Sequence, residues 1–151
     1  MKRIAIALLA WAALAGAALA QGDSNANATA IAYRQGIYKA IRWNWVPLAE
    51  MVQQKRPFDR AEFVKRATRV SFLSHQLLEG YPEGSHEGVT TDALPAIWEN
   101  FEDFSAKLDD MKRATHALRV AAASADEAAL KQQFIKTAGT CKACHDEYRA
   151  E

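Results

Sequence analysis

Apolar residues in this chain recur at steps of three and four, never in a sustained alternation of two. That spacing admits helices and excludes a sheet. From about Thr29 to Gln53, the residues Ile31, Arg34, Tyr38, Ile41, Trp45, Leu48 and Val52 form one stripe with the a/d steps of a bundle helix. Pro47 falls inside the run and should bend it, because it lacks an N–H and crowds the preceding turn. A second helix is expected after Pro57-Phe58, with Asp59 and Glu62 as a capping box and Phe63, Val70, Leu73 and Leu77 on its buried face. Gly80 and Pro82 should end it. A third takes Phe101, Phe104, Leu108, Met111, Thr115, Leu118 and Ala122 on one stripe. Ser124 and Glu127 read as another capping box, opening a fourth helix with Leu130, Phe134, Thr137, Cys141 and Tyr148 in phase. Two connections are short, and one, Glu79 to Pro95, is long and rich in Gly, Ser, Thr and Pro. The fold class expected is all-α, an antiparallel four-helix bundle.

The N-terminus stands outside that scheme. Lys2 and Arg3 precede an uncharged Ala/Leu run from Ile4 to Ala20, Ala18-Leu19-Ala20 fits the small-residue cleavage rule, and Gln21 to Asn25 is abruptly polar. Residues 1–20 read as a secretory signal peptide and 21–151 as the folded domain; an uncleaved membrane anchor is the competing reading, though the run is marginal for a span. Without Lys2 and Arg3 the chain has 17 basic against 18 acidic residues. This near balance lacks the basic excess of a nucleic-acid binder. Export implies an oxidising compartment, and two cysteines are too few for a multi-disulfide scaffold.

Cys141-Lys142-Ala143-Cys144-His145 is the most specific short motif in the chain. C-x-x-C-H is the attachment signature of c-type haem. Two thiols three residues apart share one face of a helix turn and can add across the two haem vinyl groups, while the adjacent imidazole serves as an axial ligand. Other readings compete. A Cys141–Cys144 disulfide would close a tiny loop inside a helix, with little unfolded-state entropy to remove. A thioredoxin-like pair belongs at a helix N-terminus after a strand. A structural zinc needs two more ligands, and His75, His86 and His116 are scattered.

The motif lies six residues from the C-terminal end. Together with Tyr33-Arg34-Gln35, Pro95-Ala96-Ile97-Trp98 and Asp146-Glu147-Tyr148-Arg149, it resembles the cytochrome c′ family, the class II c-type cytochromes of bacteria. Cytochrome c′ is itself a standard example of the antiparallel bundle, so the resemblance restates the fold expectation. It implies one haem c inside the bundle, bonded to Cys141 and Cys144, with His145 as the metal ligand, a vacant distal position and a periplasmic location. The distal residue of the family lies five places after the Tyr of Tyr-Arg-Gln, which is Tyr38 here. Low-spin, electron-carrying relatives place a methionine there, and Tyr38 has no thioether to offer.

Arg34 puts a charge on an apolar stripe, which a haem propionate would pair. The resemblance implies that Gln35 contacts the porphyrin and that Arg149 borders the proximal imidazole, so that all three are expected as cofactor-contacting residues. Each has a plainer alternative: a snorkelling arginine for Arg34, a solvated glutamine for Gln35, a partner of the helix dipole for Arg149. Trp43, Trp45 and Trp98 read as core and interface aromatics; Met51, near the far end of the first helix, and Met111, on a stripe that fits ordinary core, read as poor iron ligands; and His75, His86 and His116 read as solvated or structural. The loop 85–92 is expected to cover one haem edge. Gly36, Ile37, Tyr38 and Ile41 are expected as the distal wall, with the Tyr38 ring a steric gate whose hydroxyl passes the iron.

The function expected is a periplasmic five-coordinate, high-spin haem protein that binds NO and CO, with O₂ disfavoured by a wall without histidine. The alternative is a six-coordinate, low-spin electron carrier. No distal His/Arg acid–base pair is visible, so an enzyme is not expected. The redox partner is left open. A homodimer is expected from the family and from Trp43, Trp45 and Val46, too wide a cluster for one inward face.

Overall fold

The computed structural model describes residues 25–151 in full and carries helix α1 (Lys2–Val52), α2 (Arg60–Ser74), the short α3 (Ala96–Glu99), α4 (Phe101–Ser124) and α5 (Glu127–Tyr148). The leader assigned to 1–20 lies outside the fully described residues. No strand occurs among the described residues. The four long helices follow one another around an antiparallel bundle, α1 against α2, α2 against α4 and α4 against α5.

Most positions that the periodicity marks are buried; Tyr38, Trp45, Val52, Leu73 and Cys141 are only half-buried, Phe101 is exposed, and Asn44 and Met51 are buried off the α1 stripe. Ile31, Arg34, Ile41 and Leu48 face inward from α1, and Phe104, Leu108, Met111, Thr115, Leu118 and Ala122 from α4. They divide into two clusters. The far end of the bundle is closed by Leu48, Met51, Phe63, Ala67, Leu118, Leu130 and Phe134. Burying a side chain such as Phe63 or Leu118 contributes about 1.5–3 kcal/mol. The other cluster, around Ile41, Val70, Leu77, Ile97, Phe104 and Leu108, surrounds open space. Trp45 packs against both clusters.

Pro47 is accommodated within α1. Its missing N–H leaves the Trp43 carbonyl without an intrahelical donor, and Arg66 of α2 supplies one at 3.1 Å. The end of α1 is a Schellman turn, with Lys55 N–H donating to Glu50 C=O at 2.8 Å and Gln54 at φ 59° in the position that usually holds glycine.

Three local expectations need correction. Asp59 does cap α2, accepting from Glu62 N–H at 3.0 Å, but the Glu62 carboxylate pairs with Arg66 at 2.8 Å instead of reaching back. The cap of α5 is Asp126, which accepts from Ala129 N–H at 2.8 Å; Ser124 hydrogen-bonds back to Val120 C=O. Helix α2 stops at Ser74, short of Gly80. There the Ser74 hydroxyl bonds to Ser71 C=O and to Thr115, and the chain tightens into i→i+3 turns ending in a 3₁₀ turn at Leu78–Gly80.

Candidate haem site

Helices α1 and α5 close the ring of the bundle only loosely. Their seam is bridged by Trp45 stacked on Phe134, ring centroids 4.4 Å apart. Beside that bridge lies a cavity of about 880 Å³. Protein interiors seldom hold voids much larger than a water molecule, and this volume falls in the range of cofactor pockets. The wall draws on α1, α2, α4, α5 and the long loop, and is mostly apolar, with Ile41, Val70, Phe104 and Leu108 among its residues.

Cys141, Cys144 and His145 all reach this cavity from α5. The two cysteines are free and half-buried. Burial pushes the Cys141 thiol up, and burial pushes Cys144 up to about 11. Reactive thiolates need the opposite shift, so this pair is not built for dithiol exchange. Among the described residues no group of three or more His, Cys, Asp and Glu gathers to hold a metal ion. His145 sits exposed at the rim; desolvation first, and then the Arg149 guanidinium, pull its pKa down against the attraction of Asp146. The neutral imidazole, the form that can coordinate a metal, is thereby favoured.

The end of α5 is pinned directly after this motif. Leu94 N–H donates to Tyr148 C=O at 3.1 Å and Ala150 N–H to Asp92 C=O at 2.8 Å, so the loop meets the C-terminal residues in a short antiparallel bridge. The Tyr148 hydroxyl donates to Asp103 of α4 at 2.6 Å. Two thiols on one face, an imidazole beside them and an apolar cavity in front fit a planar apolar macrocycle held by two thioethers.

Arg34 is buried in the cavity wall, only 2% exposed, which removes the snorkelling alternative. Its terminal nitrogens donate to Gly80 C=O at 2.9 Å, the Ser85 hydroxyl at 2.9 Å, Ser85 C=O at 2.7 Å and the Thr91 hydroxyl at 3.1 Å. The guanidinium also lies over the Tyr81 ring at 4.8 Å. A charge this deep is tolerable only with such partners, and their effect is to tie the long loop to α1. Gln35 lies on the wall and donates to Thr90 C=O at 3.3 Å. Arg149 lines the rim beside His145.

Tyr38 lies in the cavity with the two cysteines, and the Tyr81 hydroxyl donates to its hydroxyl at 3.2 Å. Burial, and then the neighbouring Tyr81, push its phenol well above the ordinary tyrosine value, so it stays neutral. Gly36 and Ile37, expected on the distal wall, do not line the cavity; Trp45 does. From the loop, the wall residues are Tyr81, Thr91, Asp92 and Ala93; within 85–92 only Thr91 and Asp92 reach the wall, and Ser85 is buried against Arg34. Met111, read as ordinary core, is core but also faces the cavity, while Met51 belongs to the far cluster. Trp98 is half-buried and donates its indole N–H to Pro82 C=O at 2.8 Å. Sequence reasoning missed Tyr81, a residue in a loop with no periodic signal.

The family model for cytochrome c′ matches residues 29–149. Cytochrome c′ of Halomonas halodenitrificans is 33% identical over 127 residues, covering 81% of this chain and 96% of the relative. The solved cytochrome c prime from Shewanella frigidimarina superposes with a TM-score of 0.80 at 39% identity, covering 83% of this chain and 97% of its own. A nitric oxide complex of a variant cytochrome c prime from Alcaligenes xylosoxidans superposes with a TM-score of 0.75 at 26% identity, covering 83% of this chain and 96% of that one. Proteins of this family carry covalently attached haem c. The bundle, the cavity and the C-x-x-C-H motif at its wall thus come with matches across nearly the whole described chain, and the chain belongs to the cytochrome c′ family.

Proposed function

We propose that this protein binds nitric oxide, and carbon monoxide more weakly, at a haem c joined to Cys141 and Cys144 with His145 as the proximal ligand and the iron five-coordinate and high-spin. When bound, the haem supplies the iron that takes the diatomic ligand and exchanges electrons. The protein's residues do the rest. Cys141 and Cys144 fix the macrocycle, and neutral His145 presents a lone pair. Arg34, Gln35 and Arg149 line the cavity that the porphyrin would fill, with Arg149 beside the His145 imidazole.

The observation that carries this reading is Tyr38. It occupies the α1 wall of the same cavity as a neutral phenol bonded to Tyr81, a poor sixth ligand. The nitric oxide complex formed by the Alcaligenes xylosoxidans relative supports the choice of gas. The reading is that of a ligand-binding protein with accompanying electron transfer and no catalysed reaction.

The low-spin alternative acquires a specific candidate in Met111, whose side chain faces the cavity from α4. One optical spectrum, with and without NO, decides. High-spin ferric and ferrous bands, replaced on adding NO, are expected. A low-spin spectrum in wild type that turns high-spin in Met111→Leu would establish the electron carrier instead.

Periplasmic location follows in this proposal from the leader at 1–20 and from the family; no helix of the described residues is long and apolar enough to cross a membrane. A homodimer through α1 and α2 is part of the same reading. Trp43 and Phe72 are 74% and 68% exposed, while Trp45, assigned to that patch from sequence, turns inward onto Phe134. Sedimentation of the holoprotein at tens of micromolar is the test, and a monomer there removes the dimer.

A further inference from the structure

Tyr81 follows the 3₁₀ turn at Leu78–Gly80 and is gripped by three neighbours. Its ring meets Phe104 edge-on at 4.7 Å and Trp98 at 6.0 Å, and the Arg34 guanidinium covers it at 4.8 Å. Arg34 is itself fixed by the loop. Tyr81 is 6% exposed; one side of it reaches the cavity, and these ring and cation contacts hold the rest. Tyr38 differs: it is half-buried on α1, has no aromatic or cationic ring partner among the described residues, and its hydroxyl is tied to that of Tyr81 at 3.2 Å. In this couple Tyr81 is the fixed member and Tyr38 the one able to move.

We propose that Tyr81 is a positioning residue that holds the Tyr38 ring across the ligand side of the cavity, so that entry of a diatomic ligand is set by the hydrogen bond between the two phenols. The proposal rests on the reading of Tyr38 as the distal residue. One phenol–phenol bond is an ordinary net hydrogen bond, enough to bias a side-chain rotamer and too weak to lock it. The ring therefore opens and closes on the timescale of side-chain motion, and the closed population limits the rate of entry. Loss of either hydroxyl breaks the same bond. The two losses must then be equivalent and not additive.

The test uses the ferrous holoprotein and the association rate of carbon monoxide. Tyr81→Phe keeps the ring and its packing, and is expected to speed association roughly five-fold, the equivalent of one net hydrogen bond. Tyr38→Phe is expected to give the same increase, and the double variant no more. Ultraviolet resonance Raman bands of the tyrosines supply a readout that does not involve the iron, and should lose a hydrogen-bonded component in Tyr81→Phe. Unchanged or slower association in Tyr81→Phe, or additive effects in the double variant, would overturn the proposal. The underlying functional reading fails separately, on a low-spin wild-type spectrum or on a Tyr38→Ala variant whose carbon monoxide binding is unaltered. If Tyr38→Ala is faster and Tyr81→Phe is not, only the positioning role falls.

Discussion

Arg66 of α2 donates to the carbonyl of Trp43, the oxygen that Pro47 leaves without a helical partner. A proline inside a helix removes one hydrogen bond and exposes an acceptor, and here a cation from the neighbouring helix fills the gap while also pairing with Glu62 at 2.8 Å. The contact joins α1 to α2 at the proline's own turn. Arg66→Met is expected to lower stability by about 1–2 kcal/mol, the scale of a hydrogen bond from a charged donor. In a Pro47→Ala background the helix regains its N–H, and the same substitution should cost much less. Urea unfolding of the four proteins of this cycle checks the coupling; equal losses in both backgrounds would mean that Arg66 acts through Glu62 alone.

At Gly80 the chain passes directly against α1. A Cβ there would lie 2.6 Å from the Arg34 Cβ, and the Gly80 carbonyl accepts one of the Arg34 hydrogen bonds. Gly80→Ala must push the loop outward and loosen the Arg34 contacts together. A loss of about 1–3 kcal/mol is expected, with faster amide exchange across 80–91 than across α4. Wild-type stability in Gly80→Ala would show that the close approach yields without strain.

Much of this was legible in the sequence because bundle helices are periodic. The inward stripe of α4 is buried from Phe104 to Ala122 as the a/d steps mark it, and only Phe101, at the helix's first turn, falls outside it at 41% exposed. The attachment motif was legible because each of its residues has its own chemical duty. Contacts made by isolated residues were not. Asp126 caps α5 in place of Ser124 because either residue can accept from a helix N–H, and the last turn of α4 decides which one is in place. Arg34 carried a signal, a charge on an apolar stripe, but its partners come from a loop 46 to 57 residues away. Tyr81 carried no signal at all, since its role arises from where the loop returns to α1.

The Tyr148 phenol donates to Asp103 at 2.6 Å, and this bond, followed by burial, pushes its pKa from the ordinary value of 10 up to about 12. The folded state therefore holds the proton more tightly than the unfolded chain does. By linkage, the stabilisation is fully present below pH 10, declines as the unfolded tyrosine ionises, and is gone once pH passes about 12. Tyr148→Phe has no such proton to hold, so its stability should fall less steeply than wild type between pH 10 and 12. Denaturant midpoints across that interval make the comparison, and other tyrosines and lysines cancel in the difference. Parallel curves would sink the assignment.

The last expectation concerns the covalent bonds. Cys141 and Cys144 stand three residues apart on α5, both free thiols in the wall of one cavity. Neither is deeply buried, so replacing either with alanine should leave the helix intact, alanine being the strongest helix former. Cys141→Ala and Cys144→Ala should each keep one thioether and give an incomplete or labile adduct. The double variant should bind haem, if at all, only through His145 and the apolar wall. Wild-type protein denatured in acid acetone is expected to retain its colour and the mass of one haem per chain, the single variants to retain part of it, and the double variant none. Helical circular dichroism should be alike in all four, which separates a lost bond from a lost fold. Colour stripped from wild type by acid acetone would refute covalent attachment, and an unchanged adduct in the double variant would place the bonds elsewhere.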